Sequence, residues 1–215
     1  MVANWKMNPA SYKEAKELLE VTKKSVERSQ GISVIIAPPS LYLRELRASY
    51  KGKKISFGAQ NAHAEAGGAH TGEISMKQIK DAHASYVIVG HAERRAGGET
   101  NDDTKKKIAS AFAEGIQPIF CIGETSRSGT GEHYEFVREQ IRIGLSEIPP
   151  GKIAKIIIAY EPVWAIGATS AMNPRDMHEM AIFIRKTLVE LHGSVTAGGR
   201  NRGCRSGHAR LPQCR

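Results

Sequence analysis

No run of 18 or more apolar residues occurs in the 215 positions of this sequence, so no segment reads as a membrane-spanning helix. Met1 leads into Val2, Asn4 and Lys6 rather than into a basic stretch followed by an apolar one, and no signal peptide is expected. Cysteine is scarce. Cys121, Cys204 and Cys214 are the only three, without CxxC spacing or a plausible set of paired bridges, so the compartment expected is a reducing cytoplasm. Also missing are a GxGxxG after the first apolar run and a GxxxxGK followed by Ser or Thr, which argues against a dinucleotide fold and a nucleotide-binding P-loop.

Acidic residues are outnumbered, 22 against 31 basic ones, for a net charge of +9 that on its face suggests a polyanion partner. The distribution says otherwise. Residues 193–215 hold Arg200, Arg202, Arg205, Arg210 and Arg215 with no Asp, Glu or Lys, so five of the nine excess charges belong to this stretch. The rest is mildly basic, which suits a binder of small phosphates. A nucleic-acid reading would rest almost wholly on the tail, which lacks the aromatic groups on which single-strand binders stack bases. No nucleic-acid or membrane partner is expected.

What is present is alternation. Short apolar, β-branched runs recur at Val2–Trp5, Ser33–Ala37, Ile55–Ala59, Tyr86–Val89, Pro118–Ile122 and Ile156–Tyr160, and they read as six buried strands. Helical patterns lie between them. Ala15, Leu18, Leu19, Thr22 and Val26 form one apolar stripe, and Met177, Met180, Ala181, Ile184, Leu188 and Leu191 form another. Asn173 before Pro174 supplies a cap and a favoured first helical residue, and Gly115 a helix stop. A strand and a helix about every thirty residues imply right-handed βαβ units and one parallel sheet, either open or closed into a barrel. Polar groups stand at the carboxyl ends of several strands: Lys6 and Asn8, Gln60 and Asn61, His91 and Glu93, Gly123 and Glu124, and Glu161. That is where (β/α) barrels assemble their sites.

The blocks Asn4-Trp5-Lys6-Met7-Asn8, Val89-Gly90-His91-Ala92-Glu93-Arg94-Arg95, Cys121-Ile122-Gly123-Glu124 and Ala159-Tyr160-Glu161-Pro162-Val163-Trp164-Ala165-Ile166-Gly167 resemble the triose-phosphate isomerase family in order and spacing. Gly58-Ala59-Gln60-Asn61 and His70-Thr71-Gly72-Glu73-Ile74-Ser75 extend the likeness, which covers residues 1–192. The resemblance implies an α/β fold of the (β/α)8 TIM-barrel class, interconversion of dihydroxyacetone phosphate and D-glyceraldehyde 3-phosphate through an enediol, and no cofactor or metal. It further implies that Glu161 is the base that moves a proton between neighbouring substrate carbons and that His91 polarises the carbonyl. In that family the histidine works as a neutral imidazole because a helix N-terminus lowers its pKa. Lys6 becomes the cation that holds phosphate and stabilises the developing oxyanion, Asn4 a donor to a substrate oxygen, and Glu93 an orienting carboxylate. Gly167 would offer its backbone NH to the phosphate from a lid that closes over substrate. Thr71 would sit at the tip of a loop that enters the partner subunit, so a homodimer follows. Trp5 is assigned to packing.

Four departures accompany the likeness. Ala168 and Thr169 stand where the family commonly has Thr and Gly, Ala92 where it has Ser, the first strand starts a few residues late, and only about six of eight βα units are seen. Residues 193–215 are expected to be an Arg/Gly-rich tail, disordered or out of frame, and the chain as written to show no more than trace activity. Two other readings remain open at this stage: a non-catalytic remnant associating with nucleic acid through the tail, and a different barrel enzyme acting on a phosphorylated sugar.

Overall fold

The computed structural model of the chain describes residues 1–127, 129–165 and 172–193. Among them are six strands: β1 (Val2–Asn4), β2 (Val34–Ala37), β3 (Ile55–Ala59), β4 (Tyr86–Val89), β5 (Gln117–Ile122) and β6 (Ile157–Tyr160). They form one sheet in sequence order, every neighbouring pair parallel. Each apolar run expected to be a strand is one, within a residue or two at its ends. The reason is local: strands of a parallel sheet are covered on both faces and so read as unbroken apolar runs.

The connections carry helices α1 (Tyr12–Glu27), α2 (Ser40–Ser49), α3 (Met76–Asp81), α4 (Ala92–Ala96), α5 (Asn101–Glu114), α6 (Glu132–Gly144), α7 (Pro150–Ile153) and α8 (Pro174–His192), with a 3₁₀ turn at Val163–Ala165. Their ends are set by short-range chemistry. Ser11 accepts from the Glu14 N–H at the start of α1, and Thr100 and Asp103 form a reciprocal capping box at the start of α5. Asn173 caps α8 ahead of Pro174, and Gly115 closes α5 in the left-handed region at φ 76°, where a Cβ would be strained.

Alternate residues of the strands feed two apolar regions. Ile36, Phe57, Val87, Val89, Phe120, Ile122 and Tyr160 point outward to a core shared with Leu19, Leu43, Ile79, Ile108, Ile141 and Met180 of the helices. Ile35, Ala37, Ile88, Ile119 and Cys121 pack inward, beside Val2, Tyr86, Ile157 and Ala159. Burying an aliphatic or aromatic side chain of this size contributes about 1.5–3 kcal/mol, so the outer core supplies most of the force that holds helices on the sheet. The fold is thus six parallel strands with alternating helices, an incomplete TIM barrel among the described residues.

The α8 stripe differs from its expected composition. Met180, Ile184 and Thr187 are buried, with Met177, Leu188 and Leu191 partly so, while Ala181 faces solvent. A helix advances 100° per residue, and packing on α6 centres the contact one position round from Ala181, which brings Thr187 inward. Trp5 packs, partly buried, against the outer core as expected.

Candidate active site

Parallel strands in register deliver their carboxyl ends to one rim, and there residues far apart in sequence meet. Lys6, just beyond β1, has φ 55°, a left-handed conformation that costs a non-glycine residue of order 1–3 kcal/mol and persists only when neighbours impose it. They do: Asn4 Oδ1 accepts from the Lys6 N–H at 3.0 Å, and Gln60 Nε2 from β3's end donates to the Lys6 carbonyl at 2.8 Å and to the Ala37 carbonyl at 2.9 Å. That bond fixes the Asn4 side chain and leaves its N–H groups available to a ligand.

His91 caps α4 and is 7% exposed. Its Nδ1 accepts from the Glu93 N–H at 3.2 Å. With Nδ1 accepting there, Nε2 is the ring nitrogen left to donate. Nε2 faces Glu161 Oε1 at 3.6 Å. The turn that delivers His91 is held at both backbone groups of Gly90 (φ 71°). Glu99 Oε1 accepts its N–H at 2.9 Å and Arg95 Nε donates to its carbonyl at 2.7 Å. Glu99 is itself buried against Lys107, 2.6 Å away. Burial pulls the Arg95 pKa down.

Glu161 follows β6. Its N–H continues the ladder to the Ile122 carbonyl at 2.8 Å, and Pro162 behind it cannot extend the ladder, which ends the strand with the side chain at the rim. The carboxylate accepts from the Ala92 N–H at 3.4 Å and lies 3.4 Å from Cys121 Sγ. Ala92 thus supplies a backbone donor, although it lacks a hydroxyl.

Lys6 Nζ pairs with Glu93 Oε1 at 2.6 Å, and Glu93 Oε2 lies 3.8 Å from His91 Nδ1. The hydrogen bond from Lys6, more than its charge alone, holds the Glu93 carboxyl below its ordinary range. Both side chains are about half exposed, so the pair adds at most ~1 kcal/mol of stability. A depressed folded-state pKa means that this stability is complete above the unfolded value and is lost as pH falls through the lowered one. Glu93→Gln is therefore expected to lower the melting temperature slightly near neutrality and not at all in acid. Thermal unfolding of both chains across pH checks this, and a deficit that persists once Glu93 is protonated would refute the pairing.

Five of the expected residues, Asn4, Lys6, His91, Glu93 and Glu161, converge at this rim. Thr71 lies apart, exposed at the turn of the loop between β3 and α3. That loop is nonetheless tied to α4, since Glu73 Oε1 is 3.8 Å from Arg94 and Glu73 Oε2 accepts from Asn61 Nδ2 at 3.5 Å. Gly167, Ala168 and Thr169 lie outside the described residues.

From sequence alone Glu124 is a strand-end carboxylate with no assigned role. It is 1% exposed and accepts from Tyr160 Oη at 2.7 Å, from Trp164 Nε1 at 2.9 Å and from Arg127 Nε at 3.2 Å. Burial, then Glu124, drives the Tyr160 pKa upward, so its phenol stays a donor. Val163 N–H donates to the Glu124 carbonyl at 2.9 Å, which anchors the start of the segment after Glu161. The signal in the sequence was a charged residue just after an apolar strand; its partners Tyr160 and Trp164, 36 and 40 positions away, were not legible.

A carboxylate, an imidazole N–H donor and an ammonium on one rim suit proton abstraction beside a carbonyl: the first takes the proton, and the others stabilise the oxygen that gains charge. Among the described residues no group of three His, Cys, Asp or Glu is arranged to hold a metal ion, and no helix is long and apolar enough to cross a membrane.

Residues 1–200 match the family model described as Triosephosphate isomerase. A Triosephosphate isomerase of Roseiflexus sp. (strain RS-1) is 40% identical over 203 residues, covering 94% of this chain and 80% of that protein. One from Endomicrobium trichonymphae is 39% identical over 194 residues (89% and 77%), and one from Dictyoglomus thermophilum is 41% identical over 197 residues (89% and 78%).

Proposed function

The chain belongs to the triosephosphate isomerase family, whose activity is the interconversion of dihydroxyacetone phosphate and glyceraldehyde 3-phosphate, and from that premise we propose the role of each rim residue. Glu161 takes a proton from the hydroxymethyl carbon beside the substrate carbonyl. The electron pair left behind forms the enediol double bond, and charge moves to the carbonyl oxygen, which His91 Nε2–H and Lys6 meet. Returned to the former carbonyl carbon, the proton gives the aldehyde. One base serves both carbons because they are neighbours. The observation that carries this reading is the placement of Glu161 Oε1 3.6 Å from Nε2 of His91, from two different strand ends. A substrate carbonyl can lie against both.

Asn4 donates to a substrate oxygen, and Glu93 orients Lys6 through its carboxylate and the His91 ring through its backbone N–H. Gly167, outside the described residues, is assigned the phosphate through its backbone N–H. No cofactor is required, because the carbonyl itself is the electron sink. The region 1–192 is assigned to the barrel and 193–215 to an Arg/Gly-rich tail beyond it; the family match runs to residue 200. The reading carries with it a cytoplasmic location and a place in sugar-phosphate breakdown.

Turnover of dihydroxyacetone phosphate in D₂O tests the shuttle. The proton on Glu161 exchanges with solvent during the lifetime of the enediol, so deuterium is expected at the carbon that receives it. Interconversion with no solvent deuterium would favour a direct hydride shift and sink the base assignment.

The homodimer is part of the same proposal. Residues 65–69 and 71–73 project exposed from the rim, yet the loop base is closed by the His63 N–H to Ile74 carbonyl bond of 2.8 Å and by Glu73 beside Arg94. A projecting loop with a fixed base is built to enter a pocket of another copy. Thr71→Arg is expected to weaken dimerisation at least about tenfold, because a well-packed pocket does not admit a larger charged side chain. Sedimentation equilibrium at several concentrations checks it, and an unaltered dimer would put the interface elsewhere.

A further inference from the structure

We propose that Gln140 is a positioning residue for the Glu161 carboxylate, acting through the Gly123 peptide; this rests on the reading of Glu161 as the base. Gln140 lies on α6 between Val137 and Ile141, which are fully buried, and is itself 2% exposed. A primary amide in such a place is unfavourable unless both its ends are paired. Both are, and to a single residue. Gln140 Oε1 accepts from the Gly123 N–H at 2.8 Å and Nε2 donates to the Gly123 carbonyl at 3.2 Å. Those are the two bonds that a neighbouring strand would make, supplied by a side chain at the point where β5 ends.

Gly123 is the residue against which the backbone of Glu161 rests. A Cβ at Gly123 would collide with the Glu161 carbonyl, which is why no larger residue fits there. On one side of this contact the Glu161 N–H bonds the Ile122 carbonyl at 2.8 Å, and on the other the Val163 N–H bonds the Glu124 carbonyl at 2.9 Å. The orientation of the Gly123 peptide therefore sets how the 161–163 backbone seats on the 122–124 segment, and the Gln140 amide sets that orientation. Among the described residues the Glu161 side chain is held by longer contacts, 3.4 Å to the Ala92 N–H, 3.4 Å to Cys121 Sγ and 3.6 Å to His91 Nε2, so its place depends strongly on its backbone. Misplacing a reacting group by about 1 Å can cost on the order of a hundredfold in rate.

The test is Gln140→Met, which keeps length and volume and loses both bonds. It is expected to lower kcat at least about tenfold with KM within about threefold, and to speed amide hydrogen exchange at Glu161 at least about tenfold while Val87 on β4 is unchanged. Val137→Ala, a cavity on the same helix face, serves as the control for lost stability; its kcat is expected to stay within about twofold. Unchanged kcat in Gln140→Met, with or without faster exchange, overturns the proposal, as does an equal fall in Val137→Ala. Should Gln140→Met not fold, Gln140→Glu, which keeps the bond from the Gly123 N–H and loses the other, is scored by the same criteria. Glu161→Gln is assayed alongside. Full activity there sinks the base reading, whereas its loss with none in Gln140→Met sinks only the role of Gln140.

Discussion

In a version of the chain completed with two further βα units, Glu161→Gln is expected to lower kcat by about a thousandfold or more while KM stays within several-fold. A base acts on a carbon-bound proton only as the transition state forms, so its removal leaves substrate binding in place and takes away transition-state stabilisation alone. General-base catalysis contributes about 10²–10⁴ in rate, and a carbon acid beside a ketone belongs at the demanding end of that range. Glutamine is close to isosteric, and its oxygen can still accept the Ala92 N–H that the carboxylate accepts at 3.4 Å. The backbone bond from Glu161 to the Ile122 carbonyl does not involve the side chain at all. Folding is therefore expected to be preserved, and thermal unfolding of the variant should match that of the parent within a few degrees. Steady-state kinetics in both directions make the measurement. A loss below about tenfold would show that another group removes the proton, and a large rise in KM would show that Glu161 holds the substrate instead.

His91→Gln is expected to cost about a hundredfold to a thousandfold in kcat, the range found when one donor to a developing oxyanion is removed. The two roles of this residue separate in the experiment. As the cap of α4 it satisfies the Glu93 N–H through Nδ1 at 3.2 Å, and losing a cap costs about 1 kcal/mol of stability. As the bearer of Nε2–H it stabilises negative charge that exists only during reaction. A variant that melts slightly earlier yet keeps full turnover would make His91 a structural histidine and nothing more. Slow turnover with near-normal melting supports the electrophile assignment.

Much of this protein is determined by interactions short enough to be legible in the chain. Strands such as Ile156–Tyr160 and Tyr86–Val89 announce themselves because a parallel strand is apolar on both faces, and α8 begins where Asn173 and Pro174 say it should. The place of Glu161 follows from an apolar run stopped by Pro162, and that of His91 from a strand that ends in Gly90, a turn at φ 71°. Even so, the α8 stripe was legible only to within one position: which of Ala181 and Thr187 is buried depends on where α6 lies, and that is not a property of α8. The identity of each reactive residue was carried by motif likeness, since a lone carboxylate or histidine at a strand end has many ordinary uses.

Only tertiary structure decided the pairings across the rim. Lys6 meets Glu93 at 2.6 Å across 87 positions, Gln60 holds the strained Lys6 backbone across 54, and Trp164 and Tyr160 reach Glu124 across 40 and 36. Gln140 on Gly123 and Lys107 on Glu99 are polar groups inside the core that local pattern would place on a surface. The physical reason is that periodicity reports which face of an element is apolar, a property of a few neighbouring residues. A buried polar group is stable only where particular partners satisfy it, and which partners arrive is fixed by how six strands stand beside one another.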